Sequence, residues 1–106
     1  MSGNPATVRD NAAEHRYEIT VDGTVAGYAE YHDRGDRRIF THTVVEDAYE
    51  GQGLGSQLVR AVLDDSREHG RAVVPICPFI RSYIDRHRDD YLGLVPEAAR
   101  ERFGLA

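Results

Sequence analysis

The sequence predicts an α+β fold, an α/β mixed sheet in which an antiparallel meander is followed by a β-α-β crossover. Three observations carry this reading. Two turns, Asp22-Gly23 and Asp33-Arg34-Gly35-Asp36, separate three stretches rich in alternating or β-branched residues; the apolar period lengthens to that of a helix after Gly53; and a short apolar run follows that helix. A helix of this length joins parallel neighbours, so the strand after it is expected beside the third strand of the meander. The chain has 106 residues, 41% of them apolar and 29% charged, which is enough for one core and one domain and excludes a disordered or collagen-like class.

Residues 1 to 13 show no period and are expected to form a flexible tail, with the folded domain over residues 14 to 106. From His15 to Val21, Tyr17, Ile19 and Val21 alternate with Arg16, Glu18 and Thr20, the signature of a half-buried strand. Asp22-Gly23 supplies the positive φ angles of a tight hairpin, and Thr24 to Tyr31 returns with Val25, Gly27, Ala29 and Tyr31 expected on one face. Arg37 to Val45 forms the third strand. Leu54, Leu58, Ala61 and Val62 then recur at helical spacing, and His69-Gly70 ends the helix. Ala72 to Ile76 reads as a short buried strand. Pro78 is suited to open a second helix with the stripe Phe79, Ile80, Tyr83, Ile84 and His87, and Pro96 to open a last short helix through Phe103.

Charge narrows the function. With 13 Lys and Arg against 18 Asp and Glu the net charge is −5, and the arginines are scattered, so no nucleic-acid partner is expected. No apolar run approaches the roughly 18 residues of a membrane span, so no membrane partner is expected either. The lone Cys77 rules out an intramolecular disulfide and favours a reducing compartment. Met1 to Asn11 lack the regions of a secretory signal, which gives a cytoplasmic expectation. The histidines and cysteine show no paired ligand spacing, so no metal is expected.

The chemistry-bearing segment is Tyr49-Glu50-Gly51-Gln52-Gly53-Leu54-Gly55-Ser56, three alternating glycines at the mouth of a helix. Glycine lets a ligand approach the main chain without meeting a Cβ, and free amides at a helix N-terminus favour a phosphate or pyrophosphate. The plain alternative is a loop that only turns the chain. The absence of Lys-Ser or Lys-Thr after the glycines excludes a P-loop, and the glycine spacing does not fit the dinucleotide fingerprint.

The run from Thr41-His42-Thr43-Val44-Val45 through Glu50-Gly51-Gln52-Gly53-Leu54-Gly55 to Leu58-Val59 resembles the acetyl-coenzyme A binding segment of the GNAT superfamily of N-acetyltransferases. Gly53 and Gly55 match that pattern, while Glu50 stands where Gln or Arg is usual. The downstream run Val73-Val74-Pro75-Ile76-Cys77-Pro78-Phe79-Ile80, with Tyr83, resembles the short single-domain YjdJ-like branch. The resemblance covers roughly residues 15 to 92. It implies a GNAT-like fold with splayed central strands that admit the pantetheine arm of coenzyme A, an acetyl-CoA donor, and a small-molecule or protein amine acceptor on an open side. A monomer or weak dimer is expected.

On this reading Gly51, Gln52, Gly53, Leu54, Gly55 and Ser56 hold the pyrophosphate, and main-chain donors over Val44, Val45 and Glu46 polarise the thioester carbonyl. Glu46 is also a candidate base, against the default of a solvated loop carboxylate. Cys77, at a strand end and helix start, is a candidate nucleophile, because a helix N-terminus stabilises a thiolate; a small buried apolar residue is the plain alternative. His42, expected in line with Phe40 and Val44, is a candidate general base. Tyr83 is a candidate acid, or a packing residue. A coenzyme A or acyl-CoA binding module without turnover is the alternative to an N-acetyltransferase, and a small interaction domain a third reading.

Overall fold

A computed structural model of the chain describes residues 6–106. Five strands form one sheet in chain order: β1 (Thr7–Asn11), β2 (Arg16–Val21), β3 (Thr24–Arg34), β4 (Arg37–Val45) and β5 (Ala72–Pro75). The first four are antiparallel, and β5 runs parallel to β4 after the crossover helix α1 (Leu54–Glu68). Helix α2 (Pro78–Arg86), the short α3 (Arg88–Tyr91) and α4 (Glu97–Arg100) complete the chain.

Helix α1 forms because its apolar residues fall on one stripe, and Leu54, Leu58, Val59, Val62 and Leu63 are buried. They cover the sheet face that carries Tyr17, Ile19, Ala29, Tyr31, Phe40 and Val73. Helix α2 starts at Pro78, whose missing N–H costs nothing at a first helical position, and it buries Ile80, Tyr83 and Ile84. Phe79 and His87, expected on that stripe, are exposed, and the helix ends before His87. The last helix stops at Arg100, short of Phe103, and α3 is an element that the apolar period did not indicate.

Two corrections concern the meander. The tail expected over residues 1 to 13 lies partly outside the described residues; from Thr7 onward it is ordered, as β1 and a 3-10 turn (Ala12–Glu14). Its order rests on polar partners rather than an apolar stripe: Asp10 accepts from Tyr31 and Arg38, and Asn11 donates to the buried Glu18. The second correction is one of phase. The register of β3 slips at Ala26, which separates Val25, 36% exposed, from the buried Gly27, Ala29 and Tyr31. That of β4 slips at Thr41, since Tyr31 pairs with Phe40 but Glu30 with His42.

At the turn end of the sheet the charge of Arg38 is buried. Arg38, 4% exposed in its side chain, donates to both oxygens of Asp33 at 2.7 and 2.8 Å and to the Tyr17 hydroxyl at 2.9 Å, and lies 3.8 Å from the Tyr31 ring centre. Burial pushes the Tyr17 and Tyr31 hydroxyls well above the ordinary phenol range, aided by their bonds to Asp65 and Asp10. Both hydroxyls therefore remain donors at any physiological pH.

Candidate active site

The site forms where β4 and β5 part. Their pairing runs from Arg37–Ala72 to Phe40–Pro75, after which β5 ends and β4 continues to Val45. Pro75 and Pro78 bracket the departure, since neither offers an N–H to a ladder. A last bond, Cys77 N–H to the Phe40 carbonyl at 2.9 Å, fixes the apex of the opening. The splayed arrangement that the family resemblance implies is thus present.

The β4 wall offers fewer donors than expected. Glu46 N–H is engaged with the Ala26 carbonyl of β3 at 2.8 Å. Because backbone groups alternate sides along an antiparallel strand, Val44 also faces β3, and Val45 directs its N–H toward the opening. Of the three expected donors, Val45 is the one free to meet a ligand there. The Glu46 side chain is exposed.

The glycine loop forms the next wall. Gly51 and Gly53 take positive φ angles of 83° and 74°, and Gly53 stands at the N-cap of α1 with no side-chain cap. The first helical bond is from Gln57 N–H to the Gly53 carbonyl, so the amides of Leu54, Gly55 and Ser56 lack acceptors within the helix. No acidic residue occupies the first turn, and the Glu50 side chain is exposed. The amides and the positive end of the helix dipole are therefore available to an anion.

Gly55 has a different reason to be glycine from the one expected. A Cβ there would lie 2.9 Å from Cζ of Phe79 and 3.6 Å from Cγ2 of Val45. The starts of α1 and α2 and the end of β4 meet at this point. Phe79 and Ile76, 41% and 45% exposed, flank Cys77, so apolar surface borders the opening.

Cys77 is the N-cap of α2 and is 3% exposed. Its sulfur lies 3.2 Å from the Thr43 hydroxyl, and either can donate. Thr43 was not singled out from the sequence as a site residue; the slip at Thr41 puts it, rather than His42, on the face that carries Ala29 and Cys77. His42 is correspondingly exposed on the opposite face, cross-strand from Glu30, with its ring centre 6.4 Å from that of Tyr28. It does not share a face with Phe40, contrary to the strict alternation assumed from sequence. Tyr83 is buried, its ring 4.3 Å from that of His87 and 5.9 Å from that of Tyr91, and its hydroxyl accepts a long 3.4 Å bond from Arg60 of α1. Cys77, Val45 and the glycine loop are thus gathered around one opening, whereas His42 faces away and Tyr83 packs under α1.

Among the described residues no group of three or more His, Cys, Asp or Glu side chains is arranged to hold a metal ion, and no helix is long and apolar enough to cross a membrane.

The sequence model of the family described as GCN5-related N-acetyl-transferase matches residues 16–94, and the chain belongs to that family. It is 30% identical over 88 residues to the L-amino acid N-acyltransferase MnaT of Escherichia coli (strain K12), an alignment covering 78% of this chain and 51% of that protein. The chain thus spans about half the length of that relative. Among solved structures, a GCN5-like protein from Staphylococcus aureus, determined in solution by NMR, superposes with a TM-score of 0.63 at 22% identity, covering 91% of each chain; this likeness concerns the fold. The ribosomal-protein-S18-alanine N-acetyltransferase from Escherichia coli superposes with a TM-score of 0.52 at 25% identity, over 55% of this chain and 38% of that one.

Proposed function

We propose that this protein is an acetyl-CoA-dependent N-acetyltransferase that moves an acetyl group to a small-molecule or protein amine in the cytoplasm. The observation that carries the reading is the junction of the strand opening with the uncapped N-terminus of α1, sealed by the contact of Phe79 with Gly55. Pyrophosphate is a fitting ligand for the amides of Leu54, Gly55 and Ser56, and the pantetheine arm for the Val45 edge and the apolar border of Ile76 and Phe79. The net charge of −5 favours a cationic acceptor.

Cys77 is proposed as the relay. Its sulfur, as thiolate, bonds to the thioester carbonyl carbon, the bond from that carbon to the coenzyme A sulfur breaks, and coenzyme A leaves as a thiolate that takes up a proton. The amine then attacks the Cys77 thioester, loses a proton and restores the Cys77 thiolate. The Thr43 hydroxyl, 3.2 Å from the sulfur, is placed to donate to it. No proton transfer is assigned to His42, which is exposed on the sheet face opposite Cys77, or to Tyr83, which is buried under α1; the protons pass to and from solvent. A Tyr83→Phe variant, which keeps the ring packing, is accordingly expected to leave thiol release unchanged.

Titration calorimetry with coenzyme A and release of free thiol with a panel of amines test the reading. Intact mass after adding acetyl-CoA without acceptor is expected to rise by one acetyl group, and Cys77→Ala to abolish both the rise and turnover. Binding with no thiol release across the panel would instead support a coenzyme A binding module without turnover. The absence of binding would reject both.

A further inference from the structure

At the end of the sheet opposite the glycine loop, beyond the C-terminus of α1, the start of β5 meets the turn before β4 and the segment after α3. A cavity of about 420 Å³ lies there, lined among others by Asp36, Arg37, Arg67, Arg71, Leu94 and Pro96. Three arginines against one aspartate make a positive hollow in a chain of net charge −5.

Two of these arginines have only long ion pairs among the described residues, at 3.7 Å or more. Arg67 donates to the main-chain oxygen of Asp90 and lies over the Tyr91 ring at 5.1 Å, with its nearest carboxylate, Asp64, at 3.9 Å. Arg71 has its Nε–H buried with no hydrogen-bond partner among the described residues. Its nearest carboxylate oxygen, on Asp33, is 3.7 Å away, and both Asp33 oxygens already accept from Arg38 at 2.7 and 2.8 Å. A guanidinium offers five donors in a planar fork, and Arg71, 32% exposed as a side chain, has donors beyond its buried Nε–H to present to a ligand.

We infer that this cavity is a binding site for a doubly charged oxyanion, a phosphate or a dicarboxylate, held by Arg71 with Arg67 and Arg37. A dianion matches the excess of two positive charges among the lining side chains. Arg67 and Arg71 stand ready in place, which lowers the entropy lost on binding. The site is separate from the glycine loop, so occupancy of the two can be distinguished residue by residue.

The test is a titration of uniformly ¹⁵N-labelled protein with inorganic phosphate and, separately, with succinate, at constant ionic strength, following the arginine Nε–H signals together with the backbone amides. Saturable movement of the Arg71 Nε–H signal and of the Ala72, Gly93 and Leu94 amides is expected with at least one of the two anions; whichever saturates at lower concentration identifies the preferred chemistry. Arg71→Gln should weaken the fitted affinity about tenfold, as loss of one charge-assisted contact does. Arg37→Ala, at an exposed position that does not threaten folding, should weaken it about threefold. Non-saturating drift with both anions, or movement confined to Leu54, Gly55 and Ser56, would overturn the inference, as would unchanged affinity in both variants.

Discussion

Adding one methyl group at Gly55 probes the junction on which the site depends. An alanine Cβ there would meet Phe79 at 2.9 and 3.2 Å, closer than ordinary contact, so the ring must swing outward. Phe79 is 41% exposed and has room to do so. Displacing a ring from its preferred rotamer costs about 0.5–1.5 kcal/mol, while replacing glycine by alanine in a helix gains up to about 1 kcal/mol. Gly55→Ala should therefore be nearly neutral, within about 0.5 kcal/mol of the parent. In a Phe79→Ala background the methyl meets Val45 at 3.6 Å, an ordinary contact, and the same change should stabilise by about 1 kcal/mol. The expected coupling is about 1 kcal/mol, read from urea unfolding of the four proteins at a common slope. Coenzyme A affinity should fall in Gly55→Ala, because the displaced ring moves at the mouth of the opening. Equal destabilisation of 2 kcal/mol or more in both backgrounds would refute the argument, since Phe79 would then not be what constrains Gly55.

Other expectations follow from the same contacts. Arg38→Met leaves Asp33 with only its longer ion pair to Arg71 and should destabilise by about 2 kcal/mol in urea unfolding, the worth of a hydrogen bond to a charged group rather than of a buried pair, because Asp33 is 41% exposed. On acidification, the hydrogen bond from Arg38 holds the Asp33 carboxyl below its ordinary value of 3.8, and that from Arg16 holds Glu18 below 4.5. Both contribute stability that is fully present above those ordinary values and is lost as pH falls through the lower folded ones, because the unfolded chain takes up protons first. The melting temperature should thus drop below about pH 4.5, and Glu18→Gln should flatten part of that drop. Thr43→Val removes the hydroxyl beside Cys77 while keeping its shape; it should spare coenzyme A affinity and slow acetylation of Cys77 about fivefold, the worth of roughly 1 kcal/mol for one hydrogen bond.

Much of the fold was legible because its signals are local. Asp22-Gly23 fixes the hairpin by adopting φ angles of 54° and 79°, and the change of period after Gly53 marks α1 without reference to any other segment. Strand β1 was not legible: Thr7 to Asn11 contain one apolar residue, Val8, and the strand is defined by backbone pairing to β2 and by the bonds of Asp10 and Asn11. The faces of β4 were misread for a related reason. Strict alternation puts His42 with Phe40, but one extra residue at Thr41 reverses every side chain beyond it, and that residue is set by pairing with β3 rather than by composition. The same reversal hid Thr43, whose partner Cys77 lies 34 positions away. At Gly55 the sequence indicated the need for glycine but not its cause, because the atoms that exclude a Cβ belong to Phe79 and Val45.

The central claim is that coenzyme A binds in the strand opening with its pyrophosphate on the first turn of α1, and amide chemical-shift mapping during a coenzyme A titration tests it most directly. The account predicts saturable shifts at Val45, at Gln52 through Ser56 and at Phe79, with those of Leu54, Gly55 and Ser56 reproduced by a pyrophosphate-containing fragment that lacks the pantetheine arm. Saturable shifts that leave Val45 and the first turn of α1 unmoved, or no saturable shift anywhere in a folded sample, would contradict it.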